Sequence, residues 1–249
     1  MKEDALIHRE TWQVKGYDVD RNLSMNPTAL IRCMHDAAIE QILRFGVSAN
    51  ELKPLGLGWV LVHQDVHFRQ YPVLGDRIEI TTHPSGKDRL YTYRDYIVRN
   101  PLGKIIASAS TAWILMDIRE RKRAVYPTFL EDLLSSSNKL PALERPQMQK
   151  KRDVSFDEGV VRIPQYSEID FNGHLSNYYF FKWMMDSLPV HILSNFKVTQ
   201  FNIKFRGEAF EGDRIIVQFS ESNNGCVHHQ IIRDGIAIVH GYSLWDKIS

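Results

Sequence analysis

Asp170, Asn172 and His174 stand at alternate positions in the stretch Asp170-Phe171-Asn172-Gly173-His174-Leu175-Ser176-Asn177. Alternate side chains of an extended segment point the same way, so this spacing brings an acid, an amide and an imidazole together. Carboxylate and imidazole are the usual proton acceptors of enzymes. An amide donates to a carboxylate or to an oxygen that gains charge. Each residue also has an ordinary structural use: Asp170 as a turn former, Asn172 as the first half of an Asn-Gly turn, His174 as a polar residue near a helix start. Their joint presence favours chemistry. Other chemistries find no comparable support. There is no Gly-x-Ser-x-Gly nucleophile elbow, and Cys33 falls inside a predicted helix. His63 and His67 share a strand face and His228 and His229 are adjacent, with no third ligand at metal spacing. Gly56-Leu57-Gly58 is too short to cradle a phosphate. Neither a metal nor a cofactor is expected.

The triplet opens onto residues 177–187, which are apolar around most of a helical circumference and so predict a helix buried on most sides, ended by Pro189. An earlier helix is announced by Asn26 as N-cap and Pro27 at its first position. Leu30, Cys33, Met34, Ala37, Ala38 and Ile42 follow at helical spacing, and Gly46 supplies the C-terminal stop. Strand patterns cover 11–19, 59–69, 77–82, 90–99 and 105–116, then 160–166, 198–206, 214–220, 227–233 and 236–245. Between 118 and 153 the pattern loosens into a predicted linker with Ser135-Ser136-Ser137-Asn138, Pro141, Pro146, a basic run at 149–152 and one short helix around 129–134.

The order therefore repeats: strand, helix, then several strands, twice. Phe68-Arg69 followed by Gly75-Asp76-Arg77-Ile78 is matched at the same interval by Phe205-Arg206 followed by Gly212-Asp213-Arg214-Ile215, and Trp113 and Trp245 fall in the last strand of each half. An all-round apolar helix is buried only if a sheet curls around it. The expected fold class is therefore α+β, a double hotdog: tandem units at 1–145 and 150–249, each a long helix wrapped by an antiparallel sheet. The first half has no Asp-x-Asn-x-His ahead of its helix, only Asn22-Leu23-Ser24-Met25-Asn26-Pro27, so chemistry is expected in the second.

The 249 residues are 43% hydrophobic and 24% charged, as in ordinary globular proteins. A net charge of +1 gives no argument for nucleic acid or a membrane surface as partner. The best apolar run, 105–116, falls short of the ~20 residues of a membrane helix. No secretory signal is evident, and two cysteines without metal spacing suit a cytoplasmic protein.

The string from Asp170 to Asn177, followed by Trp183-Met184-Met185-Asp186-Ser187-Leu188-Pro189, resembles a signature of the acyl-acyl carrier protein thioesterases, the plant plastid enzymes and their bacterial relatives. Phe205-Arg206-Gly207-Glu208-Ala209 resembles a second signature, which carries a Glu-Cys pair in plant members. Gly58-Trp59-Val60-Leu61, the run from Arg69 to Asp76, and the run from Ser108 to Trp113 fall in the family's order and spacing, so the likeness spans nearly the whole chain. No plastid transit peptide precedes Leu6, which points to a bacterial member. The resemblance implies hydrolysis of acyl carrier protein thioesters to free fatty acid. It implies a fatty-acylated carrier protein as partner and an acyl pocket in the first unit, to which Leu30, Met34, Trp59 and Leu61 are candidates. It adds Glu208 to Asp170, Asn172 and His174 as a catalytic carboxylate. Either Asp170 activates water or attacks directly, or Glu208 is the base and Asp170 orients Asn172 and His174. Ala209 stands at the family's Cys position, which removes a cysteine nucleophile there. Lys150, Lys151, Arg152, Lys182 and Arg206 are candidates for a rim facing an acidic carrier protein, and a homodimer stays open. An acyl-CoA thioesterase and a non-catalytic lipid-binding hotdog protein are the competing readings.

Overall fold

The computed structural model describes residues 6–147, 154–156, 158–222 and 225–248. The chain forms two compact units, 1–146 and 147–249. In the first unit, strands β1 (His8–Gln13), β2 (Leu57–Phe68), β3 (Arg77–Lys87), β4 (Thr92–Arg99) and β5 (Ile105–Asp117) pair antiparallel in the order β1-β3-β4-β5-β2, with β6 (Lys122–Arg123) beside β5. In the second unit, β7 (Val160–Arg162), β8 (Phe196–Phe205), β9 (Ile215–Glu221), β10 (Cys226–Arg233) and β11 (Ile236–Lys247) pair antiparallel in the order β7-β9-β10-β11-β8. Strand for strand, the two orders are the same, as an internal duplication requires.

Each sheet carries one principal helix. Helix α1 (Pro27–Arg44) starts as its sequence dictates: Asn26 caps it by accepting the Thr28 N–H, Pro27 sits at the first position, and Gly46 takes φ +65° just past the end. Leu30, Ile31, Cys33, Met34 and Ala37 are buried on its sheet side. A short helix α2 (Ala49–Leu52), closed by a Ser48–Glu51 capping box, follows it. Helix α3 is Thr128–Ser137, α4 is Asn177–Asp186 and α5 is Val190–Asn195. In α4, Phe180, Phe181, Trp183 and Met184 are buried, and Phe181 meets the edge of Phe201 on β8 at 5.7 Å between ring centroids. Truncating Phe181 to Ala would remove about 3–5 kcal/mol of packing. Pro189 ends the α4 segment and then caps α5, a helix the periodicity had not revealed.

The repeated Phe-Arg…Gly-Asp-Arg-Ile block is a repeated turn. Asp76 Oδ2 accepts the Val73 N–H, and Asp213 Oδ2 accepts the Phe210 N–H. The preceding Gly75 and Gly212 have φ +89° and +81°, where a side chain is disfavoured. Trp113 donates its indole N–H to Thr111 Oγ1, and Trp245 donates to Ser243 Oγ, two residues back in both cases.

Two expectations are corrected. The first strands are His8–Gln13 and Val160–Arg162 rather than 11–19 and 160–166, because each gives way to a single 3-10 turn closed by an acid. Asp18 Oδ2 accepts the Lys15 N–H and the Trp12 indole, and Glu168 Oε2 accepts the Gln165 N–H. The described part of 118–153 is no slack linker. Leu130, Leu133 and Leu140 pack into a core cluster with Leu6, Val47, Leu52 and Leu115. His83 Nε2 bonds Pro141 O, the Leu143 N–H donates to Asp95 Oδ2, and Arg145 donates to Ser85 Oγ. The basic residues Lys150, Lys151 and Arg152 lie outside the described residues. Among the described residues, no helix is long and apolar enough to cross a membrane.

Candidate active site

The loop between β7 and α4 is held by Asp170. Its Oδ1 accepts the Asn172 N–H at 2.8 Å and the His174 N–H at 3.3 Å, while its own N–H donates to His174 O at 2.8 Å. This is an Asx turn, and Gly173 completes it with φ +82°. Ser176 is the N-cap of α4, with Asn177 at its first position. The loop after β8 carries Glu208. A backbone bond from the Leu175 N–H to Ala209 O, 2.7 Å, ties the two loops together. It brings His174 Nδ1 to 3.6 Å from Glu208 Oε1, each side chain about a quarter exposed (24% and 26%). His174 also stands edge-on to Phe210 at 5.0 Å. Arg233 of β10 supports the Glu208 loop from behind, donating to Glu208 O at 2.5 Å and to Asp213 Oδ2 at 3.3 Å while stacking on Phe210.

All four residues singled out in the sequence thus fall on two joined loops of the second unit. His174 and Glu208 face each other, and Asp170 builds the turn that carries Asn172 and His174. Ala209 is fully buried, so no exposed thiol site exists at that position. Lys182 donates within its own helix to Asp186, and Arg206 is exposed. Leu30, Met34 and Leu61 are buried core residues, and Trp59 packs on Tyr126 beside the leucine cluster. His229 is a core residue: Ser243 Oγ accepts from Trp245 and hydrogen-bonds His229 Nε2 at 2.7 Å, and burial, with His228 next to it, pushes the His229 pKa down to about 3.

The first unit carries the same scaffold with other residues in place of His174 and Glu208. Asp20 Oδ1 accepts the Asn22 N–H at 2.8 Å and the Ser24 N–H at 3.2 Å, and the Asp20 N–H donates to Ser24 O at 2.8 Å. The Met25 N–H donates to Pro72 O at 2.7 Å, as Leu175 does to Ala209. By this correspondence Ser24 stands for His174 and Tyr71 for Glu208. Even the left-handed residue is kept, as Leu23 at φ +59°. The absence of Asp-x-Asn-x-His from the first half therefore hides a copy of its Asp-x-Asn part. The signal is Asp20-x-Asn22, which begins two residues before the Asn22–Pro27 stretch.

A duplicated helix-in-sheet unit with an imidazole and a carboxylate joined across two loops of one copy is a double hotdog of the thioesterase kind. Residues 5–133 match the acyl-ACP thioesterase N-terminal domain and residues 150–247 the acyl-ACP thioesterase C-terminal domain. The chain belongs to the acyl-ACP thioesterase family. It is 23% identical over 272 residues to a chloroplastic palmitoyl-acyl carrier protein thioesterase of Arabidopsis thaliana, covering 98% of this chain and 65% of that one. A cotton (Gossypium hirsutum) enzyme of the same name is 24% identical, with 64% of its length covered. The chain thus spans slightly less than two thirds of the length of these relatives. The fold superposes on an acyl-ACP thioesterase from Bacteroides thetaiotaomicron with a TM-score of 0.86 at 20% identity, covering 99% of this chain and 100% of that one. A 12:0-ACP thioesterase from Umbellularia californica gives 0.88 at 19% identity, with 98% of both chains covered.

Proposed function

We propose that this protein hydrolyses the thioester of acyl-acyl carrier protein and releases free fatty acid, with Glu208 as the base. The observation that carries this reading is the His174–Glu208 pair on a scaffold whose first-unit copy holds Ser24 and Tyr71 instead. Asp170 and its counterpart Asp20 do the same turn-forming work, so that work alone gives Asp170 no part in the chemistry. In the second unit it positions Asn172 and His174.

In the proposed reaction Glu208 removes a proton from water as the water oxygen attacks the thioester carbon. The carbonyl oxygen gains charge, and the Asn172 amide and the N-terminal end of α4 are the donors nearest in the chain to receive it. His174 faces the Glu208 carboxylate and orients it. The C–S bond then breaks, and the thiolate leaves and takes a proton, giving a carboxylic acid and the free thiol. Ala209 leaves no cysteine to form an acyl-enzyme at that position. The first unit takes the acyl chain and the second performs the chemistry. The cytoplasm is the compartment this reading implies, since the substrate is a soluble carrier protein.

The test is a panel of matched acyl carrier protein and acyl-CoA thioesters with product identification by mass spectrometry. Free fatty acid from the carrier protein substrates, at higher kcat/KM than from CoA, is the expected result. Preference for CoA would assign the chain to acyl-CoA hydrolysis. Fatty acid binding without any turnover would make it a lipid-binding protein.

A further inference from the structure

The core of the first unit contains a polar patch where an aliphatic lining would be ordinary. Gln64 on β2 stands opposite Thr111 on β5, which stands opposite Arg94 on β4, so their side chains share the sheet face turned toward α1. Tyr96 lies two residues along on the same face, opposite Thr82 on β3. From α1, Gln41 Oε1 accepts from Arg94 Nη1 at 2.6 Å, and Thr82 Oγ1 accepts from the same nitrogen at 3.1 Å. Both acceptors are neutral, and no carboxylate of the described residues is bonded to this guanidinium. His35, also from α1, bonds Gln64 Oε1 through Nε2 at 3.1 Å and lies 6.1 Å from the Tyr96 ring.

Two polar groups in this patch lack a well-formed hydrogen bond, although the Tyr96 hydroxyl approaches the Thr111 side chain. Gln64 and Tyr96 are both 0% exposed, and Gln64 Nε2 and the Tyr96 hydroxyl close no hydrogen bond of normal geometry. Turning the Gln64 amide over does not cure this, because one pole would still be left bare once His35 holds the other. An unmatched buried polar group destabilises the fold. Arg94 and His35 nevertheless keep part of their surface accessible, so the rim of the patch is not sealed. A ligand oxygen seated against it supplies the acceptor that the buried groups lack.

We propose that this patch is a recognition subsite for an oxygen acceptor carried on the acyl chain itself, so that the preferred substrate is a hydroxylated, oxo- or carboxyl-bearing acyl group rather than a plain hydrocarbon chain. Gln64, Tyr96 and Arg94 are its donors. An aliphatic chain laid against them would leave the Gln64 amide and the Tyr96 hydroxyl unmatched, and that penalty is the source of selectivity. The inference rests on the reading that the first unit receives the acyl chain.

The test measures two things: hydrolysis of acyl carrier protein thioesters and equilibrium binding of the corresponding free acids. Both use one chain length in plain, 3-hydroxy, 3-oxo and ω-carboxy forms, which also locates the oxygen. A preference of at least tenfold for one oxygenated form, reduced about tenfold or more in its ratio to the plain chain by Gln64→Leu, is expected. Gln64→Glu, which keeps the shape and sets a carboxylate at this position, is the second variant and is read in its place if Gln64→Leu does not fold. It should reverse the preference for the ω-carboxy form. A plain chain handled as well as every oxygenated one, in both assays, overturns the proposal. If no thioester is hydrolysed but an oxygenated acid still binds with a Gln64-dependent preference, the subsite stands and the thioesterase reading falls. Neither turnover nor binding overturns both.

Discussion

Asp170→Asn separates a turn-forming carboxylate from a catalytic one. In the folded loop Asp170 Oδ1 receives two backbone N–H groups, from Asn172 at 2.8 Å and His174 at 3.3 Å. An Asn side chain keeps an oxygen at that place, so both bonds survive without the charge. Charged acceptors make bonds roughly twice as strong as neutral ones, and a neutral bond is worth about 1 kcal/mol net. The loss is therefore about 1–2 kcal/mol of loop order, which at 1.36 kcal/mol per decade sets a ceiling of roughly 5–30-fold on kcat if all of it reaches the His174 position. Asp170→Ala removes both acceptors and should cost more than Asp170→Asn. Glu208→Gln removes the proposed base and should cost about 100-fold or more. Asp20→Asn is the matched control. It weakens the same turn in the unit without the pair, at 2.8 and 3.2 Å, and should lower the melting temperature while leaving kcat near the parent value. The assay is steady-state kcat on acyl carrier protein thioesters, with thermal melts of all four variants. Asp170→Asn falling as far as Glu208→Gln, with no loss of stability, would make Asp170 a base or nucleophile and refute the reasoning.

Three further outcomes follow from the same geometry. Arg233→Met should lower kcat more than it raises KM, because Arg233 holds Glu208 O, Asp213 and Phe210 without lying in the reacting pair; Arg233→Lys should restore part of the rate, and an unchanged kcat in Arg233→Met would remove this support role. Ala209→Cys places a sulfur at a fully buried position, so melts should show a loss of about 1–3 kcal/mol and kinetics no gain in rate; a faster enzyme would mean that the thiol takes part. Burial holds His35 at about 4 and His229 at about 3, below the ordinary 6.5 of an exposed imidazole. The unfolded chain therefore binds these protons first. Stability should be full above pH 6.5 and fall as the pH drops from there toward 4 and 3. Melting curves from pH 7 to pH 4 check this, and His229→Gln should give the shallower decline.

Much of this was legible because the sequence states it locally. Asn26-Pro27 starts a helix by capping chemistry alone, and the two Gly-Asp-Arg-Ile blocks mark the same glycine-dependent turn. The loops of the site were legible as residue types, since Asp170, Asn172, His174 and Glu208 are few and closely spaced. Their division of labour was not. Whether a carboxylate faces a ligand or its own backbone is decided by the amides around it, and Asp170 turned out to hold two of them. The copy at Asp20 and Asn22 is hidden in the sequence because its partners are Ser24 and Tyr71, which look like no active site. The described residues past 118 read as linker because prolines and serines break the period there. Leu130, Leu133 and Leu140 take their order from the core cluster they fill, which no local pattern announces. The bonds joining Gln64 to His35 and Arg94 to Gln41 span 29 and 53 residues, and they depend on how α1 packs on the sheet.

The account stands on the His174–Glu208 pair as the working centre. Single-turnover hydrolysis of an acyl carrier protein thioester by Glu208→Gln, with substrate binding measured on the same preparation, tests it most directly. The predicted result is binding within a few-fold of the parent and a chemical step slowed about 100-fold or more. A folded Glu208→Gln protein that cleaves the thioester at the parent rate would contradict it.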